Sequence, residues 1–206
     1  MRVEFLGTGT STGVPMIGCR CDVCRSKDSR DRRLRSSVCL TVDDKNILID
    51  CGPDFRQQML RSGIDHIDAV LLTHEHYDHT SGLDELRNFS RNNPIPIYAE
   101  PNVLDIIHQR LFYCFSEQPN PGVAHLELKA IENLSPFTLF GIDIEPVRIW
   151  HYRLPIIGYR IGDLPILPIC SRYPMGNAPS CRISILWLSM PYGISPIFRT
   201  RTSKVR

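Results

Sequence analysis

Along the first 163 positions, apolar residues fall into short runs separated by polar clusters rich in Gly, Asp, Asn or Pro. Val3-Glu4-Phe5-Leu6 reads as a first strand. Ser37 to Val42 and Asn46 to Asp50 read as two more, joined by the turn Asp43-Asp44-Lys45. Asp54 to Ser62 has helical spacing and stops at Gly63. Asp68 to Thr73 reads as a buried strand and Leu83 to Asn88 as a helix. Ile95 to Ala99 reads as a short strand with proline at its edge. Asn102 to Phe112 is predicted helical, and Phe137 to Val147 as a pair of strands around Gly141. Ile149-Trp150-His151 ends a strand, and Ile157 to Ile161 forms another. Strands with interspersed helices predict a layered α/β architecture. The chain shows no internal repeat and no low-complexity segment.

Directly after the buried strand at 68–73 come four metal-ligand side chains within six residues: His74, His76, Asp78 and His79. Imidazole and carboxylate together suit zinc, manganese or iron. In an extended segment His74, His76 and Asp78 point the same way, and His79 breaks the alternation to reach a second ion. A strand end that delivers so many polar groups is expensive unless something binds them. The plainer alternative is a solvated His-rich loop. One ion needs a third protein ligand besides His74 and His76, and His151, at a strand end beside Trp150, is the candidate. Two ions close together bring a shared water towards neutral pKa, making a nucleophile for an ester, an amide or a phosphodiester. Asp50, at the end of another apolar strand, fits two roles. It either fixes the tautomer of a ligand imidazole or serves as a turn or helix-cap residue.

A second constellation, Cys19, Cys21 and Cys24, fits a structural zinc site better than a redox pair. Buried thiols or a disulfide are the alternatives, and a fourth ligand has to come from elsewhere. Cys39, Cys51 and Cys114 sit in apolar contexts and read as core. The loop Gly7 to Pro15 is rich in Gly and Thr, and its glycines allow a close approach to a ligand. Without a Gly-Lys-Ser/Thr run or a following helix it is not a nucleotide P-loop. Thr8, Thr10, Ser11 and Thr12 are candidates for lining a substrate pocket. The basic run Arg25 to Arg35 reads as a solvated loop.

Length and charge narrow the picture. At 206 residues the chain can form one domain with a real core, and its net charge of +2 argues neither for nor against nucleic acid. No segment holds the roughly 18 apolar residues that span a bilayer. The opening residues pass straight into a strand without a leader pattern. A cytoplasmic protein is expected, with no membrane partner, nucleic acid allowed but not indicated, and a homodimer allowed.

Together these residues resemble the metallo-β-lactamase superfamily. The resemblance rests on Leu-Leu-Thr-His-Glu-His-Tyr-Asp-His at 71–79, Ile-Leu-Ile-Asp-Cys-Gly at 47–52, and His151. The opening Gly-Thr-rich loop and the Cys triplet are similar to the phosphoribosyl cyclic phosphodiesterase branch. The tRNA 3′-processing nucleases share the metal motif at a greater distance. The resemblance implies an αββα sandwich and two divalent metal ions, zinc or manganese, with a structural zinc at the cysteines. His74, His76 and His151 would hold the first ion, and Asp78 and His79 the second. Asp78 would orient a metal-bridged hydroxide for attack on a small or cyclic phosphodiester. A non-catalytic binding protein, a thioester hydrolase and a lactamase stay open as alternatives.

The C-terminal part departs from that pattern. Such enzymes draw a bridging Asp, a last His and a His for the Cys site from their second half. Here no Asp or Glu follows Asp163 and no His follows His151. Residues 1–163 sum to −4, and residues 164–206 hold six basic residues, no acid and six of the 16 prolines. The expected organisation is an incomplete hydrolase domain over 1–163, with its second half truncated or disrupted, and an aberrant basic tail over 164–206. A one-base deletion accounts for the tail. One codon assignment for Gly-Asp-Phe-Ala-Tyr-Ile-Thr-Asp-Met-Leu-Thr-Leu-Pro-Asp-Gly-Glu, stripped of a T in its Phe codon, translates to the sequence at 162–176. In the same frame, 184–193 permits Asp-Thr-Leu-Val-Val-Asn-Ala-Leu-Arg, and the next codons permit His-Lys-Pro-His. The alternative is a genuine Pro-rich tail that binds a partner.

Overall fold

The computed structural model describes residues 1–118, 120–162 and 164–166, the last three by their backbone alone. In chain order the elements are β1 (Arg2–Gly7), α1 (Asp22–Arg25), β2 (Ser37–Val42), β3 (Lys45–Ile49), α2 (Phe55–Ser62), β4 (Ala69–Leu71) and α3 (Tyr77–Thr80). There follow β5 (Ile95–Ala99), α4 (Pro101–Arg110), β6 (Leu126–Ala130), β7 (Phe137–Leu139), β8 (Ile142–His151), β9 (Leu154–Ile161) and β10 (Leu164–Ile166), with short 3-10 turns between. Local chemistry explains the boundaries. Asp43 and Asp44 take positive φ (42° and 63°), the conformation of a tight hairpin turn between β2 and β3. Gly63 ends α2 with φ 71°, and Pro101 opens α4, where its missing N–H is harmless.

Two sheets form. The first has the order β1-β2-β3-β4-β5-β6, antiparallel through β3 and parallel from β3 to β6. The second is antiparallel in the order β10-β9-β8-β7. The middle strands β2 to β4 are buried on both faces, which is why they read as nearly unbroken apolar runs, whereas the outer strands β1 and β6 are partly exposed. Leu48, Val70 and Ile97 face the layer containing Phe55 and Met59 of α2 and Val103, Leu104 and Ile107 of α4. Their neighbours Ile47, Ile49, Ala69 and Leu71 face the other way, onto Ile144, Ile157, Tyr159 and Ile161 of the second sheet. Each such fully buried Leu or Ile is worth about 1.5–3 kcal/mol. Two hydrogen bonds stitch the sheets at one end: Ile157 N–H donates to the Thr73 carbonyl (3.0 Å), and the Tyr159 hydroxyl to the Leu72 carbonyl (2.6 Å).

The parallel strands β3, β4, β5 and β6 bring their carboxyl ends to one edge. The residues that follow them, Asp50, Leu72 to His74, Glu100 and Ile131, gather there, where open α/β sheets place ligand sites.

Several expectations change. β5 is an interior strand, between β4 and β6, and Pro96 is tolerated because pairing with β4 begins only at Ile97. Residues 83–88 form a 3-10 helix, the 102–112 helix spans Pro101–Arg110, and β6 was not anticipated. Beyond the composition break at 163, residues 164–166 still pair with β9 as β10. The rest of the expected tail, 167–206, lies outside the described residues.

Candidate metal centre

The segment that follows β4 is held from beneath by Asp50. This residue has a left-handed backbone (φ 59°), a conformation that costs a non-glycine residue and persists where its surroundings enforce it. Its Oδ1 accepts from the Thr73 amide (2.9 Å), and its Oδ2 from the Thr73 hydroxyl (2.9 Å) and from Nδ1 of His79 (2.7 Å). Of the two roles the sequence left open for Asp50, these contacts match the tautomer-fixing one. The hydroxyl proton of Thr73 is thus spent on Asp50, so at Nδ1 of His74 (2.9 Å) it can only accept. That assigns the His74 proton to Nδ1 and leaves the Nε2 lone pair free. Among the described residues, Nε2 of His74 is buried without a hydrogen-bond partner. Thr73 was not singled out from the sequence; its signal is a polar residue between an apolar strand and the first histidine.

His74, His76 and His151 each place a ring nitrogen within 4.8 Å of the others. Their ring centroids lie 4.5 Å (His74–His76), 5.8 Å (His74–His151) and 5.3 Å (His76–His151) apart. His151 arrives at the end of β8, at the tip of the β8–β9 hairpin. The extended run ends at His76, because α3 begins at Tyr77. Asp78 and His79 therefore lie in a helical turn and do not continue the strand-like alternation. The turn is favoured because it satisfies the backbone: His79 N–H donates to the His76 carbonyl (3.0 Å), as does the Thr80 hydroxyl (3.0 Å). It brings Nε2 of His79 to 3.2 Å from Asp78 Oδ2.

Gly52 and Gly82 permit this packing. A Cβ on Gly52 would lie 2.1 Å from the Asp78 carbonyl oxygen, and one on Gly82 2.2 Å from the Gly52 oxygen. Cys51 N–H donates to the His79 carbonyl and Gly82 N–H to the Cys51 carbonyl, both at 2.8 Å, so the two loops interlock.

The electrostatics suit a cation. Burial, reinforced by His79 and His76, holds His74 down to about 2, so it stays a neutral lone-pair donor. Burial works against a charge on His79 too, but Asp50 and Asp78 override it and raise the imidazole to about 10. Burial also opposes the charge of Asp78, yet the hydrogen bond and charge of His79 hold its carboxyl down to about 2. Burial and the neighbouring His76 and His79 lower His151. A buried orphan nitrogen beside two more imidazoles, next to a carboxylate–imidazole pair, is the donor set that divalent zinc or manganese takes.

The Cys triplet is also gathered: the sulfurs of Cys19, Cys21 and Cys24 lie within 4.8 Å of one another. Cys19 Sγ is 3.4 Å from Cys21 Sγ, too far for a disulfide, and the Met16 amide donates to Cys24 Sγ (3.4 Å). Helix α1 starts right after Cys21 and turns Cys24 back towards it. Cys39, Cys51 and Cys114 lie in the core, and burial raises the thiol of Cys39 to about 12.

The loop at 7–15 needs a different explanation from the one its glycines suggest. A Cβ on Gly7 would lie 1.8 Å from the Arg35 carbonyl oxygen, so the close approach is to the chain's own 33–35 segment and not to a ligand. Thr10 and Thr12 share a hydroxyl contact (3.2 Å), and Ser11 offers its carbonyl to Arg35 (2.7 Å). Thr8 is exposed beside them. The basic run is partly committed as well: Arg35 pairs with Asp54 (2.8 Å).

Residues 45–165 match the family described as the beta-lactamase superfamily domain. The chain belongs to this superfamily. It is 40% identical to a solved diphosphatase of the PhnP family, with a TM-score of 0.72 over 79% of this chain and 62% of that one. It is 26% identical to zinc-bound PqqB from Methylobacterium extorquens, with a TM-score of 0.60 over 78% and 61% of the two chains. It is also 53% identical over 168 residues to the octanoyltransferase of Porphyromonas gingivalis W83. That match spans 81% of this chain but 34% of the relative. The chain thus spans about a third of that relative and just over 60% of the two solved proteins.

In superfamily terms, the described residues bring together His74, His76 and His151, with Asp78 and His79 alongside. The bridging Asp and last His implied by the resemblance have no counterpart after Asp163 in the sequence. Among the described residues, no helix is long and apolar enough to cross a membrane.

Proposed function

We propose that this superfamily member is built as a binuclear metal-dependent hydrolase of a small or cyclic phosphodiester. The observation that carries the reading is Nε2 of His74, buried and unpartnered beside the ligand atoms of His76 and His151. The 40% identity to a diphosphatase supports phosphorus over other ester centres. His74, His76 and His151 would hold one zinc or manganese ion, and Asp78 and His79 would begin a second site. When bound, such ions supply Lewis acidity and a low-pKa water. The chain's own residues do the rest. Thr73 and Asp50 lock the His74 tautomer, Asp50 orients His79, and Asp78 aligns the attacking water by accepting its hydrogen bond. The cysteine triplet would hold a structural zinc with a ligand from elsewhere.

Hydrolysis of bis(p-nitrophenyl) phosphate with added Mn²⁺, reduced at least a hundredfold by His76→Ala, is the expected result. Turnover unchanged in His76→Ala would end the reading. An acyl-ester or thioester hydrolase is the second reading, favoured by the 53% identity to an octanoyltransferase. It predicts faster turnover of p-nitrophenyl octanoate than of the phosphodiester.

The missing acid and histidine make weak metal retention and slow turnover the expectation for the chain as written. In this reading, residues from 164 onward are the product of a one-base deletion, supported by the end of the superfamily match at 165, beside the composition break. Sequencing the locus tests it: an intact Phe-type codon run that keeps this frame rules the deletion out. A frame-restored version is expected to bind two metals per chain and to outpace the chain as written.

A further inference from the structure

We propose that Arg148 and Glu100 form a positioning clamp that sets His151 against His74 and His76. The inference rests on the metal-site reading above. His74 and His76 leave the first sheet, whereas His151 comes from the second, so the third ligand is only as well placed as the two sheets are docked. Among the described residues, the apolar cluster nearest His151 is small. Ile149 and Ile156, with Val147 and Leu154 against them, form a small cluster separate from both main cores. The hairpin turns immediately afterwards at Tyr152, which has a positive φ of 58°.

Arg148, three residues before His151 on β8, reaches across to Glu100, the residue between β5 and α4 on the ligand edge of the first sheet. The pair is two-pronged: Nη1 donates to Oε2 (2.7 Å) and Nη2 to Oε1 (2.5 Å). The fork geometry fixes angle as well as distance, which a single contact cannot do. Side-chain exposures of 29% and 17% shield the pair more than a surface bridge. With Ile157 N–H on the Thr73 carbonyl and the Tyr159 hydroxyl on the Leu72 carbonyl, it ties the β8–β9 hairpin to the first sheet at three places among the described residues, and it is the one on β8, the strand that carries His151. A second pair, Arg160–Glu145, joins β8 to β9 within the hairpin and does not cross between sheets.

Mn²⁺ titration of the full chain, followed by loss of the free-ion electron paramagnetic resonance signal, provides the test; manganese avoids the thiolates of the cysteine triplet. Arg148→Met and Glu100→Gln are each expected to weaken Mn²⁺ binding about tenfold, the low end for groups that orient metal ligands. Arg148→Lys, which keeps the charge but not the fork, is expected to fall in between. Arg160→Met is expected to bind as the parent does, and circular dichroism to match across the set. If His151→Ala weakens binding while Arg148→Met and Glu100→Gln do not, the clamp is refuted and the metal site stands. Equal losses in Arg160→Met and Arg148→Met also refute it, because the effect is then general to the hairpin. If His76→Ala and His151→Ala both bind as the parent does, the metal-site reading fails and the clamp falls with it.

Discussion

The two ligand clusters of this molecule are organised in opposite ways. The histidine cluster hangs from the ends of buried strands, and Asp50, Thr73, Gly52 and Gly82 fix its loops through buried hydrogen bonds and close backbone packing. The cysteine cluster sits on a surface segment whose only regular element is the four-residue α1, without a buried residue. It is held by an N–H···S contact and an S···S contact. The difference teaches where organisation comes from. The histidine cluster is ordered by buried contacts of the fold, whereas the cysteine cluster rests on local contacts within its own surface segment.

The largest break in this comparison is expected at Asp50. Asp50→Ala leaves His79 and both Thr73 donors without their buried acceptor and is expected to cost about 3–5 kcal/mol in urea unfolding of the metal-free chain. A loss below about 1 kcal/mol would mean that the fold does not depend on this carboxylate.

A smaller effect is expected from pH. His79 is raised from its ordinary value to about 10, so its contribution is complete below about 6.5 and is lost as pH climbs towards 10. His74 is lowered to about 2, so the unfolded chain takes up its proton first, and stability is lost as pH falls below about 6.5. The urea midpoint of the metal-free chain is therefore expected to peak near pH 6.5. A metal held by His79, as proposed, would take the place of its proton and is expected to flatten the alkaline limb. A midpoint rising steadily to pH 9 would contradict this account of His79.

The smallest effect is expected at the cysteines. Cys21→Ser should leave the metal-free melting temperature unchanged, and zinc should slow hydrogen exchange over residues 16–25 in the parent but not in the variant. Equal protection in both would remove the triplet from zinc binding.

Much of this was legible in the sequence because it is local. Alternating or unbroken apolar runs gave the positions of β1 to β5 and of β7 to β9, and Gly63 announced the end of α2. The spacing of His74, His76, Asp78 and His79 announced a ligand set. What could not be read is non-local. Asp78 lies in a helical turn because of carbonyls satisfied by Thr80 and His79, and Gly7 faces residues far along the chain. β6 escaped notice because Leu126-Glu127-Leu128-Lys129-Ala130 is half polar and takes its place by pairing with β5. Thr73 and Gly52 look ordinary until their partners are known.

The Tyr159 hydroxyl meets the Leu72 carbonyl across 87 residues of chain. At about 5–20 residues per second, a ribosome needs roughly 4–17 s to travel that span. For that interval a nascent chain carries His74, His76 and Asp78 with no second sheet to close over them. His151 reaches the loop that carries His74 and His76 only once that second sheet has been made.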